Sequence, residues 1–251
     1  MPFTPPKPSV ARILSRAAPD PRWRPGLAAQ PFHSEIFAPA NEASGAGLAL
    51  ALARDALMVA GGEGEDTRQV LWVQDRAAIR LGGRPCVAGL PPDLARRLIH
   101  VAAATPEDAL FALEEGLKCR DLACVIGEIA GNPRALSFTA SRRLSLTAER
   151  HGVRLWLVRL DAAPDLSSAR MRWRARAAPS PRPRWNPAAP GTASWHAELF
   201  RARAHAPGEW SLADDDGQLR FRSDPAVSAA PDPVDLARPT VGRSLAARVR
   251  A

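Results

Sequence analysis

The middle of the chain alternates short apolar runs with stretches that have one apolar face. The runs are bounded by polar or turn-forming residues, which is typical of strands in a sheet that is covered on both sides. They predict strands at residues 32–38, 69–74, 98–103, 123–126 and 154–159.

The stretches between these runs have the period of amphipathic helices. They predict helices at about residues 48–60, 106–118 and 134–150. The second is the best defined, because Thr105 is a favourable N-cap residue and Pro106 fits the first helical position. Strands that alternate with helices indicate a mainly parallel sheet flanked by helices, which is an α/β fold.

The pattern changes towards the carboxyl terminus. In residues 169–176 arginine alternates with apolar residues, which predicts a half-exposed strand and not a central one. Residues 195–203 predict a further strand, with a bulge near Leu199 and Phe200 where the alternation slips. A hairpin around residues 214–217 completes an antiparallel β extension.

Proline marks the boundaries between these regions, because the 25 prolines are concentrated outside the predicted strands and helices. The predicted organisation is a Pro- and Arg-rich arm at 1–31, a core at 32–178, a Pro-rich crossing with a hairpin at 179–222, and a disordered tail at 223–251.

The chain is basic, with a formal net charge of +8 and only two lysines. Residues 134–184 contain twelve arginines against three carboxylates, so this stretch has a net charge of +9. Such a concentration fits weak contact with DNA phosphates, docking to an acidic partner, or a solvated strand face. The candidate contact residues are Arg142, Arg143, Arg170, Arg172, Arg174, Arg176, Trp185 and Trp195, whereas Trp72, Trp156 and Trp173 are predicted to be core residues.

Metal and membrane chemistry have no support in the sequence. The three cysteines and five histidines do not have the spacing of a zinc site or a disulfide framework. No run approaches the ~20 apolar residues of a membrane span, and the first residues lack the apolar core of a signal peptide. We therefore expect a cytoplasmic protein without a bound metal or cofactor.

The turn before the first predicted helix is the best candidate for a phosphate-binding loop. Residues 40–47 align with the pattern GxxxxGK[ST], in which a lysine contacts the β- and γ-phosphates and a hydroxyl binds magnesium. Gly45 occupies the second glycine, but Ala40, Ala46 and Gly47 replace the first glycine, the lysine and the hydroxyl residue. Together with Ser44, these residues form a degenerate nucleotide site.

Several segments resemble the RecA ATPase core in the same order along the chain. They are LWVQDRAA at 71–78, TPEDALFALEEGLKCRDLACVIGE at 105–128 and SARMRWRARAAP at 168–179, the last of which resembles the late antiparallel strand of that core. This resemblance implies a degenerate P-loop fold in which Glu128 matches the magnesium-binding carboxylate. Arg76 matches the catalytic glutamate and Arg159 the phosphate-sensing glutamine, so the resemblance does not predict hydrolysis.

A finer resemblance is to the ImuA family of damage-inducible mutagenesis proteins, over roughly residues 32–222. The matching segments are 83–92, 110–128, 131–161, 169–174 and 184–191. The resemblance implies a non-catalytic, nucleoid-associated partner of an inactive Y-family polymerase homologue and an error-prone C-family DNA polymerase in translesion synthesis and the SOS response. Contact with RecA and self-association are further partner hypotheses.

Three other functions compete with this one. A divergent RecA-like ATPase would still bind ATP, and a SulA-like inhibitor would bind a cell-division GTPase. A DNA-binding protein without partners would bind with a steep dependence on salt. Against RecA-style DNA binding, the two loops at 131–133 and 161–168 are short.

Overall fold

The computed structural model describes residues 22–27, 30–61, 66–186, 188–215 and 217–222. The strands are β1 (His33–Ala38), β2 (Gln69–Asp75), β3 (Leu98–Ala103), β4 (Leu122–Ala130), β5 (Arg154–Leu160), β6 (Met171–Ala177), β7 (Ser194–Ala202), β8 (Gly208–Asp215) and β9 (Gln218–Phe221). The helices are α1 (Ser44–Gly61), α2 (Arg76–Gly82), α3 (Pro92–Ala95), α4 (Pro106–Lys118) and α5 (Phe138–His151).

The strands described form one sheet in the order β3-β2-β4-β5-β1-β6-β7-β8-β9. Every pairing from β3 to β6 is parallel, and β7, β8 and β9 continue the same sheet antiparallel to their neighbours. The structure thus confirms the predicted α/β class, with a mostly parallel sheet flanked by helices and an antiparallel extension at the carboxyl terminus.

The two faces of the sheet carry separate apolar cores. On one face α1 packs over the central strands, and Trp156, Trp173 and Trp195 are buried beside it. On the other face α4 and α5 cover β2, β4 and β5 with a layer of leucine and valine side chains. Because helices cover both faces of the sheet there, the central strands carry apolar side chains on both faces.

The helix at 106–118 has the predicted bounds, and the Thr105 hydroxyl caps it by accepting the Asp108 N–H at 3.1 Å. Two other helices begin elsewhere. α5 begins at Phe138 and not at residue 134, because the Ser137 hydroxyl caps it. α1 begins at Ser44 and not at residue 48, so the small residues of the turn form its first helical turn.

Two strand interpretations were partly wrong. β6 is half-exposed as predicted, since Arg174 and Arg176 are exposed and Trp173 and Ala175 are buried, but it lies inside the sheet between β1, with which it is parallel, and β7. The resemblance to a late antiparallel strand therefore describes only its β7 side. β3 is not covered on both faces, because it is the edge strand and Ile99 is 43% exposed.

The carboxyl-terminal details of the pattern are confirmed. Trp173 pairs with Leu199 while Arg172 pairs with Arg201, so Phe200 is the extra residue of the predicted bulge. β8 and β9 form the predicted hairpin. Trp72, Trp156 and Trp173 are all buried, as predicted.

Part of the predicted arm lies in the described chain. Trp23 is buried, and its ring contacts Trp173 and Trp210 with centroid distances of 4.8 and 5.5 Å. Residues 1–21 of the arm and the predicted tail at 223–251 lie outside the described residues. Within the described chain, no helix is long and apolar enough to cross a membrane.

Candidate functional site

The predicted nucleotide site lies at the carboxyl edge of the parallel strands. A pocket of about 260 Å³ opens there between the first turn of α1, the ends of β2 and β4, and residues 82–90. Its lining includes Ala46, Gly47 and Glu128, which the sequence analysis had placed together. It also includes Trp72 and Gln74, which the motif comparison missed because neither belongs to a P-loop pattern.

Carboxylates of the chain itself occupy the amino end of α1. Glu42 accepts the Ser44 hydroxyl at 3.1 Å with one oxygen and the Ala177 N–H at 3.0 Å with the other. Asp161 accepts the Ala40 N–H at 2.9 Å. The amino end of a helix attracts negative charge, and Glu42 places a carboxylate beside Ser44, the first residue of α1. This charge disfavours a second anion at the same place, and Asp161 satisfies the Ala40 N–H of the preceding turn.

Packing explains the two glycines of the degenerate motif. A Cβ atom at Gly45 would lie 2.7 Å from Ala38 Cβ and from Val158 Cγ1, so only glycine lets α1 lie this close to β1 and β5. A Cβ atom at Gly47 would lie 3.0 Å from the indole nitrogen of Trp195. Neither glycine therefore requires a phosphate-binding explanation.

Glu128 is held by neutral donors inside the protein. One carboxylate oxygen accepts the Trp72 indole N–H at 2.6 Å and the Gln74 amide at 3.1 Å. Burial raises the pKa of Glu128 above its usual value, and the two hydrogen bonds offset only part of this effect. With these two hydrogen bonds, this oxygen of Glu128 is already engaged by groups of the protein itself.

The remaining residues of the predicted site lie outside the pocket lining. Ser44 is buried behind it, where its hydroxyl lies 3.4 Å from the Ala175 carbonyl oxygen. Arg76 is exposed at the first position of α2, which Asp75 caps by accepting the Ala78 N–H at 2.6 Å. Arg159 is buried on β5 and donates to the Gly131 carbonyl at 3.0 Å.

Most of the predicted contact arginines are paired within the protein. Arg143 lies 2.5 Å from Glu114, Arg170 lies 2.6 Å from Glu149, and Arg174 lies 2.8 Å from Glu198. Arg142 and Arg176 are exposed and have no ion pair among the described residues. An arginine with an internal carboxylate has less charge to offer a phosphate, so the +9 stretch is less basic at its surface than its composition indicates.

Two of the predicted contact residues are buried and cannot form a contact surface. Arg172 is 3% exposed, donates to Glu35 at 2.8 Å, and lies between the rings of Phe37 and Phe200. Trp195 is 5% exposed and packs against α1. The prediction failed because alternation along a strand gives the direction of each side chain but does not show whether other parts of the chain cover that face. Trp185, by contrast, is 94% exposed.

The two short loops at the carboxyl edge are tied together. The Asn132 side chain accepts the Ala163 N–H and donates to the Ala163 carbonyl, each at 2.8 Å. It also donates to Asp165 at 3.0 Å. The loops after β4 and β5 are therefore fixed to each other across the end of the sheet.

The described residues define an α/β protein with a pocket at the carboxyl edge of its parallel strands. They contain no group of three or more side chains that could hold a metal ion. No protein-family model matches the chain, and a search of curated protein sequences finds no significant match.

Proposed function

We propose that this chain is a non-catalytic RecA-like accessory protein of damage-induced mutagenesis, of the ImuA type, which acts by assembling partners. The observation that carries the proposal is the start of α1, where Ala46 and Gly47 replace the lysine and hydroxyl residue of a P-loop and the Glu42 carboxylate lies beside Ser44. This arrangement supports a protein that does not use the turn for ATP hydrolysis.

The arrangement of elements supports the RecA-like part of the proposal. A small-residue turn follows the strand β1, which lies between β5 and β6, and leads directly into α1. Glu128, the match to the magnesium-binding carboxylate, lies on β4 beside the same pocket. These are the positions in which the resemblance predicts the remains of a nucleotide site.

Three residues support a protein that does not hydrolyse ATP. Phosphoryl transfer needs a cation on the phosphates, a metal ion and a residue that orients water. Ala46 stands in place of the P-loop lysine, and Arg84 is the arginine in the pocket lining. Glu128 is engaged by Trp72 and Gln74, and Arg76 lies outside the pocket. The pocket of about 260 Å³ is also below the range of ~300–1,000 Å³ usual for small-molecule sites.

The resemblance supplies the partners: an inactive Y-family polymerase homologue and an error-prone C-family DNA polymerase. In this proposal the chain holds these proteins at damaged DNA, and its own contact with DNA is weak. The internal pairing of Arg143, Arg170 and Arg174 supports a limited role for direct phosphate contacts.

Binding of fluorescent ATP, with and without magnesium, tests the loss of nucleotide chemistry. We expect no saturable binding up to millimolar ATP and no phosphate release. The matched variant is Glu42→Gln, which removes the carboxylate from the amino end of α1. Micromolar binding by the unaltered protein, strengthened by Glu42→Gln, would establish the divergent ATPase instead.

Co-purification with defined partners tests the assembly role. The tagged chain is mixed in turn with the polymerase homologue, the C-family polymerase and a cell-division GTPase from the same cells. We expect a complex with the polymerase homologue and none with the GTPase, and the reverse result would favour the SulA-like function. Binding only to DNA, erased between 50 and 200 mM salt, would contradict both.

A further inference from the structure

A second and larger cavity lies at the opposite edge of the sheet. It has a volume of about 620 Å³ and is formed where β1, β5 and β6 begin and where β7 leads into β8. Its lining includes Phe32, Arg154, Arg170, Met171, Arg203 and His205. This volume is within the range of sites that bind small molecules or short peptide segments.

Backbone hydrogen bonds between the strands hold the cavity open in a fixed shape. The Phe32 carbonyl accepts the Leu155 N–H at 2.7 Å, and the His33 carbonyl accepts the Arg170 N–H at 3.1 Å. The Arg170 carbonyl in turn accepts the Arg203 N–H at 3.1 Å. Because the ends of four strands are joined in this way, the backbone that carries the arginines is already fixed before a ligand arrives.

The positive charge of the cavity is poorly compensated. Arg170 is paired with Glu149 at 2.6 Å, whereas Arg154 and Arg203 have no carboxylate partner among the described residues. The Arg154 guanidinium lies 5.4 Å from the centre of the Phe32 ring, and its Nε atom is buried without a hydrogen-bond partner. Burial also lowers the pKa of Arg154, which is the response of a cation that lacks an anion.

The walls between these cations are apolar. Pro31, Phe32, Met171 and Ala204 contribute to them. A ligand must therefore combine an anionic group with an apolar body. Nucleic acid fits less well, since it needs an open basic surface and free ring faces for stacking, and Arg154 lies over a face of Phe32.

We propose that this cavity binds a short acidic and apolar peptide segment of a partner protein, with its carboxylates on Arg154 and Arg203. Guanidinium groups bind carboxylates through paired hydrogen bonds, which gives the site both affinity and direction. This inference does not depend on the proposed function, because the cavity is separate from the nucleotide-like pocket.

Selection from a random heptapeptide library displayed on phage tests the proposal. The protein is used as the target, and the double variant Arg154→Gln/Arg203→Gln is used for counter-selection. We expect enriched sequences with Asp or Glu beside apolar residues. Their synthetic forms should bind at least tenfold more weakly to the double variant, with unchanged affinity for Arg182→Gln, a variant of an exposed arginine outside the cavity.

Three results would overturn the proposal. The first is a selection without enrichment, and the second is an enriched peptide that binds the double variant as well as it binds the unaltered protein. The third is a single-stranded oligonucleotide that binds through the same two arginines and displaces the peptides, which would make the cavity a phosphate site. The exposed single variant Arg203→Gln repeats the test without altering the partly buried Arg154. These outcomes do not depend on whether the protein binds ATP or polymerase partners, so failure of the proposed function and failure of this proposal can be distinguished.

Discussion

The two edges of the parallel sheet differ in whether their charged groups have partners within the protein. At the carboxyl edge, where related folds bind ligands, Glu42 and Asp161 satisfy the turn before α1, and Glu128 is held by Trp72 and Gln74. At the amino edge, a cavity of about 620 Å³ is lined by Arg154 and Arg203, which have no carboxylate partner in the described part of the chain.

The difference shows that position in the fold does not by itself decide where a ligand binds. Parallel α/β sheets usually bind ligands beyond the carboxyl ends of their strands. A site stays available only if its polar groups lack partners within the protein, because an internal partner competes with every ligand. By this criterion the amino edge is the better candidate for binding.

The largest effect is expected from separating a paired arginine from its carboxylate. Glu35→Gln leaves the buried Arg172 with only the more distant Asp165 carboxylate, at 3.9 Å, and breaking a buried pair costs about 3–5 kcal/mol of unfolding free energy. Arg154→Gln should cost far less, because Arg154 pairs with no carboxylate of the residues that the structure describes. Urea unfolding measures both changes.

The exposed pair of Arg174 and Glu198 provides a control for this comparison. Glu198→Gln should change the unfolding free energy by less than about 1 kcal/mol. Equal losses for Glu35→Gln and Arg154→Gln would contradict the distinction between satisfied and unsatisfied cations.

The second effect is a pH dependence at the start of β1. Burial lowers the pKa of His33 to about 4 from 6.5, so the unfolded chain binds its proton more tightly than the folded one. Glu35 and Glu149 oppose this shift, and Arg172 adds to it. The stabilisation by neutral His33 is complete above pH 6.5 and is lost as the pH falls towards 4, by about 3 kcal/mol in total.

His33→Asn provides the measurement, because asparagine retains a polar group for Ser145, whose hydroxyl lies 2.7 Å from His33 Nδ1. The unfolding free energy of this variant should fall less steeply than that of the unaltered protein between pH 6.5 and 4.5. Identical slopes would mean that His33 is accessible to protons in the folded state.

The third effect tests the packing that closes the carboxyl edge. Gly45→Ala places a methyl group 2.7 Å from Ala38 Cβ and Val158 Cγ1, so it should destabilise the protein by about 1–3 kcal/mol despite the helix propensity of alanine. Gly89→Ala, whose Cβ atom would lie 4.0 Å from the nearest side-chain atom, should change stability by less than about 0.5 kcal/mol. Thermal unfolding compares the two, and a neutral Gly45→Ala would mean that α1 can move away from the sheet.

The smallest effect concerns Glu128. Because its pKa is raised in the folded state, its charged form opposes folding at neutral pH, and this cost disappears as the pH falls. Glu128→Gln keeps an oxygen acceptor for Trp72 and Gln74, so it should leave stability at pH 7 unchanged or slightly higher. Marked destabilisation, or a stabilising effect of magnesium that this variant removes, would show that the carboxylate binds a cation.

The fold could be predicted further from the sequence than the sites could. Periodicity and capping predicted both ends of α4 correctly, because Thr105 and Pro106 define the start of the helix through contacts within its first turn. The pattern also located the bulge at Phe200. It failed at the start of α1, where the glycines of the first turn indicate a loop unless the neighbouring strands are known.

The candidate sites depended on contacts between distant residues. The motif and the resemblance together predicted that Ala46, Gly47 and Glu128 lie at one site, and these residues do line one pocket. Nothing in the sequence indicates the hydrogen bond between Trp72 and Glu128. The alternation of arginine with apolar residues in 169–176 could be recognised in the sequence. The burial of Arg172 could not, because it depends on Glu35, which lies on β1. The cavity at the amino edge has no motif, because its residues come from four separate parts of the chain.

The sequence alone determined the alternation of strands and helices, the change to antiparallel structure, and the absence of a lysine from residues 40–47. These properties follow from local periodicity and from single residue identities. Only the tertiary structure decided the strand order, the hydrogen bonds of Glu42, Glu128 and Asp161 at the carboxyl edge, and the lack of carboxylate partners for Arg154 and Arg203 among the described residues. Charge satisfaction depends on which side chains meet, and residues more than a hundred positions apart, such as Glu35 and Arg172, meet only in the folded sheet.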